Sequence, residues 1–402
     1  MPSPLSIGGG RSVFFLLNLV QDVNILRPLV YLAARETKAR IGLLVSGAFL
    51  KRDRQKIWQS EVAALASDTG SSLYLYDTPA EAHAVLGDGS GVIFAASESN
   101  LPAHHETSGV FRIAPQSYVR ITLQHGLECI GFLQSREHVM SHGRNVSFGA
   151  DIVCSWFEAE ALTSLIASQR SKLYVTGPPT LLGRQSGDLT AAPGGGGLVC
   201  ENMHSVRLRA SGDHKTSFMD IFLNFCGKLE SRGEAVTLRP HPGGQYVLKN
   251  KVALPANVQL NMLPLYRFNL NRYRFGISAP STIIFDMVLA GIPVAVWRDP
   301  YGIMDARNYE GLTEISTLED WLGFERDVQL RPEMILDRQQ AFLRRLKMPS
   351  DPAEVYRRFA RLIIAALGGN RGEALEASGA SPEVKRKRPA VLAHDSLVEA
   401  TA

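Results

Sequence analysis

The sequence predicts an α/β chain of two doubly wound, Rossmann-like domains that face a central cleft. Three observations predict it. Short apolar runs alternate with amphipathic segments from Ser12 to Thr176, and the same alternation resumes from Gly197 to Trp297. Between them, Leu181 to Gly197 is rich in Gly, Pro, Ser and Ala, the composition of a boundary. With 402 residues the chain has room for two cores. The division expected is residues 11–178 as an amino-terminal domain, 179–196 as linker, 197–370 as a second domain with terminal helices, and 371–402 as a disordered tail.

Taken in order, Ser12 to Asn18 reads as a buried strand and Gln21 to Asn24 as the loop after it. A helix follows from Ile25 to Arg35, with Leu26, Leu29, Val30 and Leu32 on one face. Ile41–Ser46, Ser72–Tyr76 and Val92–Ala95 are further strands, separated by helices at Arg54–Ala66 and Pro79–Leu86. Gly8-Gly9-Gly10 precedes the first strand instead of following it, which excludes a dinucleotide fingerprint. Val119–Leu123 is a strand that runs into Gln124-His125-Gly126. Asp151–Ser155 is a strand, Glu158–Ser168 a helix, and Leu173–Thr176 a strand ending at Gly177-Pro178-Pro179, a hinge at the rim of the cleft.

The second half starts with the strand Gly197–Cys200 and the polar stretch Glu201 to Ser205. His214–Leu229 carries Phe218, Ile221, Phe222 and Phe225 on one face, a core stripe. Ala235–Leu238, Val258–Leu260, Phe275–Ile277 and Pro293–Trp297 are strands, and Ile283–Ala290 is a helix stopped by Gly291. Thr317–Gly323, Glu333–Leu346 and the strongly periodic Pro352–Leu367 close the series as helices.

Composition narrows the class. A hydrophobic fraction of 45% and a charged fraction of 20% are those of a soluble globular protein. The net charge of +4 is no more than Lys385-Arg386-Lys387-Arg388 carries, so the folded body is near neutral and nucleic acid is not an expected partner. Those four residues offer anionic lipid headgroups a peripheral contact at the inner face of a membrane, although a solvated tail is the simpler reading. Cys129, Cys154, Cys200 and Cys226 stand far apart with no C-x-x-C pair, which suits reduced thiols in a cytoplasmic setting and gives no zinc signature. Asp22 and Asn24 cut short the first apolar run, so neither a signal peptide nor a membrane span is expected.

Two polar breaks follow strands at what would be the carboxyl end of the second sheet, where open α/β folds bind ligands. The first is Arg239-Pro240-His241-Pro242-Gly243-Gly244. The prolines stiffen the loop that bears His241, Gly243 and Gly244 permit a sharp turn or a close approach, and Arg239 is a forked donor for phosphate or carboxylate. The plainer alternative is a surface turn with an idle histidine. The second is Ser278-Ala279-Pro280-Ser281-Thr282, read as an N-cap at Ser278 with Pro280 in the first turn, a combination that favours anions. Asp286 lies one turn deeper on the same face. An ordinary capped helix explains this stretch as well. In the first half, Gly126 allows the turn that would aim His125 into a cleft, while a merely packed strand-end histidine is the alternative. His104-His105, His138 and His142 have no Glu or Cys at ligand spacing, so they read as loop residues and no metal site is expected.

Arg239-Pro240-His241-Pro242, the later Ser278, Ser281, Thr282 and Asp286, and Gln124-His125-Gly126 together resemble the CDP-glycerol glycerophosphotransferase family. They look equally like its GT-B relatives, the capsule sialyltransferases and Kdo transferases with a His-Pro motif. The second motif matches loosely, since Ala279 and Pro280 stand where the family often has an acidic residue and a Ser pair. The resemblance implies a GT-B fold without a cofactor, and transfer of a sugar or glycerol-phosphate group from a nucleotide-activated donor, CMP- or CDP-linked. It implies that Arg239, His241, Ser278, Ser281 and Thr282 hold the donor phosphates, that Asp286 holds the ribose, and that Gly126, Gly177, Gly243 and Gly244 shape cleft loops. His125 would be the catalytic base toward a glycan or lipid-linked acceptor in surface-polymer synthesis. A sugar-nucleotide 2-epimerase and a non-catalytic glycan-binding protein of the same fold are the rival expectations. The epimerase would need carboxylates near the sugar ring, and the sequence offers no convincing set.

Overall fold

The computed structural model describes residues 10–185, 196–203, 214–242, 244–267, 269–302 and 304–368. Gly8 and Gly9, most of the expected linker, His204 and Ser205, Gly243 and the expected tail with Lys385–Arg388 lie outside the described residues.

Two parallel sheets carry the chain. The first has strands β1 (Arg11–Leu17), β2 (Arg40–Ser46), β3 (Ser72–Tyr76), β4 (Ser90–Ala95), β5 (Tyr118–Leu123), β6 (Ile152–Ser155) and β7 (Leu173–Val175), in the order β3-β2-β1-β4-β5-β6-β7. The second has β8 (Gly197–Glu201), β9 (Val236–Pro240), β10 (Val258–Leu260), β11 (Phe275–Ser278), β12 (Val294–Trp297) and β13 (Thr313–Ile315), in the order β10-β9-β8-β11-β12-β13. Helices cover both faces of each sheet, which is why the strands read as unbroken apolar runs. Phe14 and Phe15 of β1, for instance, point to opposite faces and are both fully buried. In each sheet the order reverses beside the first strand, between β1 and β4 and between β8 and β11. Each reversal opens a crevice at the strands' carboxyl ends.

One apolar cluster covers a face of the first sheet, a second covers the outer face of the other, and a third runs between the lobes. In the third, Trp156 of the first lobe and Phe285 of the second lie with ring centroids 5.2 Å apart. Helix Pro352–Leu367 returns to the first sheet, burying Val355, Phe359, Leu362 and Ile363 against the helix Asp22–Glu36 and β1. That crossing explains Gly177, which does not sit on the cleft rim as expected. Its φ is +79°, and a Cβ there would lie 2.7 Å from the Pro349 carbonyl and 2.8 Å from Val355 Cγ2. Gly177 makes room for the returning chain.

Two local expectations are corrected. Glu158–Ser168 is not one helix but a turn at Ala159–Ala161 and a short helix at Ala167–Arg170. Leu162 and Leu165 are buried between them, and the Arg170 guanidinium donates to the Ala159 and Leu162 carbonyls, holding the chain open. Ser278 is not an N-cap: it is the last residue of β11, in register with Cys200 and Val296. The helix starts at Thr282, and its N-cap is Ser281, three residues after the expected cap Ser278.

Candidate functional site

Between the carboxyl ends of the two sheets lies a cavity of about 690 Å³, within the usual size of a small-molecule site. Its first-lobe wall is set by the loop after β5. Gln124 is buried and clamps that loop: its amide nitrogen donates to the Gly126 carbonyl (2.9 Å), and its oxygen accepts from the Trp156 amide (3.0 Å). His125 is thereby turned toward the cavity, with Nδ1 2.9 Å from the Ala96 carbonyl. A carbonyl only accepts, so Nδ1 carries the hydrogen and Nε2 holds the lone pair of the neutral ring. Burial works to strip the ring's second proton. It is outweighed by the Cys129 sulfur 3.5 Å away, the Asp22 carboxylate and the Ala96 carbonyl, and the imidazole is pushed up to about 9.

Asp22 is fully buried at the first-sheet reversal. Its Oδ2 accepts from the Asn18 amide (2.9 Å), the Leu19 amide (2.8 Å) and the Ser97 hydroxyl (2.7 Å). Burial raises its pKa, and these three donors oppose the rise. Ala96 and Ser97 are consecutive, so one turn after β4 holds both the His125 ring and the Asp22 carboxylate. His104 stands edge-on to His125 at 6.2 Å between centroids, with Nδ1 2.7 Å from the Ser99 hydroxyl. Burial pushes His104 down to about 3, so this ring is neutral.

The second-lobe wall comes from the ends of β8, β9 and β11. Arg239 is nearly buried, donates to the Leu263 carbonyl (2.6 Å) and borders the cavity. Burial lowers its pKa, and the neighbouring Cys200, Asp286 and Tyr273 oppose that shift. Glu201 accepts from the Tyr246 and Val247 amides, which fixes the loop that carries His241. Asn202 donates to the Pro280 carbonyl (2.6 Å), tying β8 to the turn before Ser281. Ser281 makes no capping bond with its side chain, and Ser281, Thr282 and Asp286 all line the cavity.

The two walls touch. The Leu127 amide donates to Thr282 Oγ1 across the lobes (3.1 Å), and Gly126 packs against the same hydroxyl. At one end of the cleft the Arg136 amide donates to Asp305 (2.8 Å) and the Asp305 amide to Glu137 (2.9 Å). At the other end Tyr266 and Arg267 bind Glu61 at 3.0 and 3.1 Å.

This arrangement of sheets and cleft decides the architecture. The fold is GT-B. Solved structures agree with it. The chain superposes on the glycotransferase of kitacinnamycin with a TM-score of 0.56 and 14% identity, covering 90% of this chain and 100% of that one. It superposes on the UDP-GlcNAc 2-epimerase of Neisseria meningitidis, solved with UDP-GlcNAc, with a TM-score of 0.55 and 11% identity, covering 89% and 100%. For the wall teichoic acid polymerase TagF the values are 0.55 and 10%, covering 89% of each chain. At these identities the likeness is one of fold, and it does not single out glycerophosphotransferases. No family model and no curated protein matches the sequence.

Of the residues expected at the site, His125, Gly126, Arg239, His241, Ser281, Thr282 and Asp286 line the one cavity. Ser278 does not. Its hydroxyl is fully buried and donates to the Ala279 carbonyl (2.7 Å), because the residue still belongs to the strand. Gly244 is buried beneath the cavity wall, its amide donating to the His241 carbonyl (3.1 Å) as the loop turns. The sequence reading missed His104, His138, His142 and Glu128, which also line the cavity. His138 and His142 are not loop residues but lie one turn apart on the helix Arg136–His142, opened by a Ser135–His138 capping box. Ser135 three residues before His138, and the i, i+4 pair, were the signals available. Among the described residues no group of three His, Cys, Asp or Glu is arranged to hold a metal, and no helix is long and apolar enough to cross a membrane. All four cysteines are buried and unbridged.

Proposed function

We propose that the protein is a GT-B transferase that moves a sugar group from a nucleotide-activated donor to an acceptor hydroxyl, in the assembly of a surface polysaccharide. The observation that carries this reading is the meeting, in one cavity, of His125 from the first lobe with Arg239, His241 and the helix start at Ser281–Thr282 from the second. The donor's nucleotide lies in the second lobe. Its phosphates face the first-turn amides, Arg239 and His241, and its ribose faces Asp286. His125 Nε2 takes the proton of the acceptor hydroxyl as that oxygen attacks the anomeric carbon. The bond from that carbon to the phosphate oxygen breaks, and its electron pair leaves with the nucleotide. Charge that builds on the leaving phosphate is met by donors already aimed at it, so the step needs no bound cation. A fold neighbour that holds UDP-GlcNAc is in keeping with such a donor, and the resemblance of the motifs favours CMP or CDP.

A thermal-shift screen against CMP, CDP, UDP and GDP tests the reading. A ligand present at 100 times its dissociation constant stabilises the folded state by about 2.7 kcal/mol, a rise of several degrees. If none of the four raises the melting temperature, the reading fails.

One observation favours a second reading, a sugar-nucleotide 2-epimerase. Glu128, three residues after His125, lines the cavity and accepts from Asn308 of the other lobe (3.1 Å), which supplies a carboxylate near a bound sugar. Incubating UDP-GlcNAc with the protein in D2O without an acceptor separates the two. Deuterium at C2 supports epimerisation; unlabelled sugar, or its slow release by hydrolysis, supports transfer.

A further inference from the structure

The first-lobe half of the cavity has a chemistry of its own. The helix Arg136–His142 presents His138, Ser141 and His142 to it, a spacing that places three side chains on one helical face. Glu128 lies beside them, and Leu101 and Ile130 supply apolar surface. Among the described residues no Lys or Arg of the first lobe lines the cavity; its arginine, Arg239, belongs to the donor side. A wall built for phosphate carries guanidinium or ammonium groups, and a carboxylate there repels the anion. Imidazoles, a hydroxyl and a carboxylate set among apolar side chains instead match the hydroxyls and the C–H faces of a sugar ring.

The wall is also held in place from both lobes. Its helix is fixed by the Ser135–His138 capping box, and its first residues by the Arg136–Asp305 and Asp305–Glu137 bonds across the cleft. These bonds fix the distance from this wall to the second-lobe side of the cavity.

We propose that this wall is the acceptor subsite, and that it takes the terminal residue of an uncharged glycan and refuses phosphodiester polymers such as poly(glycerol phosphate). The inference rests on the transferase reading and narrows it, because it separates a sugar acceptor from a glycerol-phosphate chain.

The test loads the full chain with whichever of CMP, CDP, UDP and GDP binds best. It then measures capture on a glycan array of neutral oligosaccharides, carboxylated and phosphorylated oligosaccharides, and glycerol-phosphate oligomers. The loaded protein should bind neutral glycans. The Ser141→Ala/His142→Ala double variant, which leaves the Ser135–His138 capping box intact, should bind them at least about tenfold more weakly, the loss expected for two hydrogen bonds, with nucleotide affinity unchanged within about twofold. Capture of anionic glycans alone overturns the proposal. So does the absence of any neutral binding by loaded protein, or neutral binding that the double variant leaves intact. Failure of all four nucleotides to bind is a different result, and it removes the transferase reading itself.

Discussion

Replacing Gly126 by alanine tests whether the contact between the lobes sets the catalytic geometry. A Cβ at this position would lie 2.5 Å from Thr282 Oγ1, about 0.9 Å inside the 3.4 Å at which ordinary contact begins. That oxygen also accepts the Leu127 amide, so it cannot turn away without losing the bond that joins the lobes. Either the loop bearing His125 or the start of helix Thr282–Leu289 must retreat by most of an ångström. A displacement of about 1 Å at a reacting centre costs roughly 100-fold in rate, or about 2.7 kcal/mol of transition-state stabilisation. We expect kcat/KM for donor turnover in Gly126→Ala to fall by about that factor. Thr282→Ala alone loses one hydrogen bond, a cost of about tenfold. Because it removes the clashing oxygen, the Gly126→Ala/Thr282→Ala pair should turn over faster than Gly126→Ala, whereas Gly126→Ala/Thr282→Ser keeps the oxygen and should not recover. Steady-state kinetics on the four variants, with nucleotide affinity from calorimetry, reads the coupling. Wild-type rates in Gly126→Ala, or strictly additive effects in the pair, would refute the reasoning.

Three further outcomes are expected. Asp22→Asn keeps acceptors for the Asn18, Leu19 and Ser97 donors but removes the charge that helps hold the proton on His125. The imidazole should therefore fall from about 9 toward its ordinary value. If His125 is the base, turnover should rise with pH as it loses its proton and should level off at lower pH in the variant; a profile from pH 6 to 10 that does not move contradicts this. The raised pKa of His125 also gives the wild type stability that is full below about 6.5 and is lost as pH rises through about 9, a loss Asp22→Asn should diminish. Phe359→Ala empties a fully buried site in the returning helix and should cost about 3–5 kcal/mol in urea unfolding while nucleotide affinity holds; a cost under about 1 kcal/mol would mean the helix is not part of the core. Ser278→Ala should leave nucleotide affinity within about twofold, since its hydroxyl serves backbone carbonyls, whereas His241→Ala should weaken it about tenfold or more; the reverse ranking would restore Ser278 to the site.

The architecture was legible because parallel strands buried on both faces leave unbroken apolar runs, and the polar breaks that line the cavity follow them directly in sequence, as at Leu238-Arg239-Pro240-His241. The helix Arg136–His142 was not legible, because it is two turns long and turns histidines and a serine, not apolar residues, to the cavity. No apolar stripe exists for periodicity to find. The cap of helix Thr282–Leu289 was misplaced by three residues, from Ser281 to Ser278, because both are good caps and only pairing with Cys200 and Val296 keeps Ser278 in the strand. Gly177 was misread for a similar reason. What it accommodates, Pro349 and Val355, is far away in the chain and reaches it only through the returning helix.

The central claim is that an imidazole of one lobe acts on an acceptor while the other lobe holds the nucleotide. His125→Ala tests it most directly, with nucleotide affinity by calorimetry and donor turnover measured on the same preparation. We predict that affinity stays within about twofold and turnover falls by about 100-fold or more, the usual contribution of a general base. Unchanged turnover, or a loss of affinity as large as the loss of turnover, would contradict it.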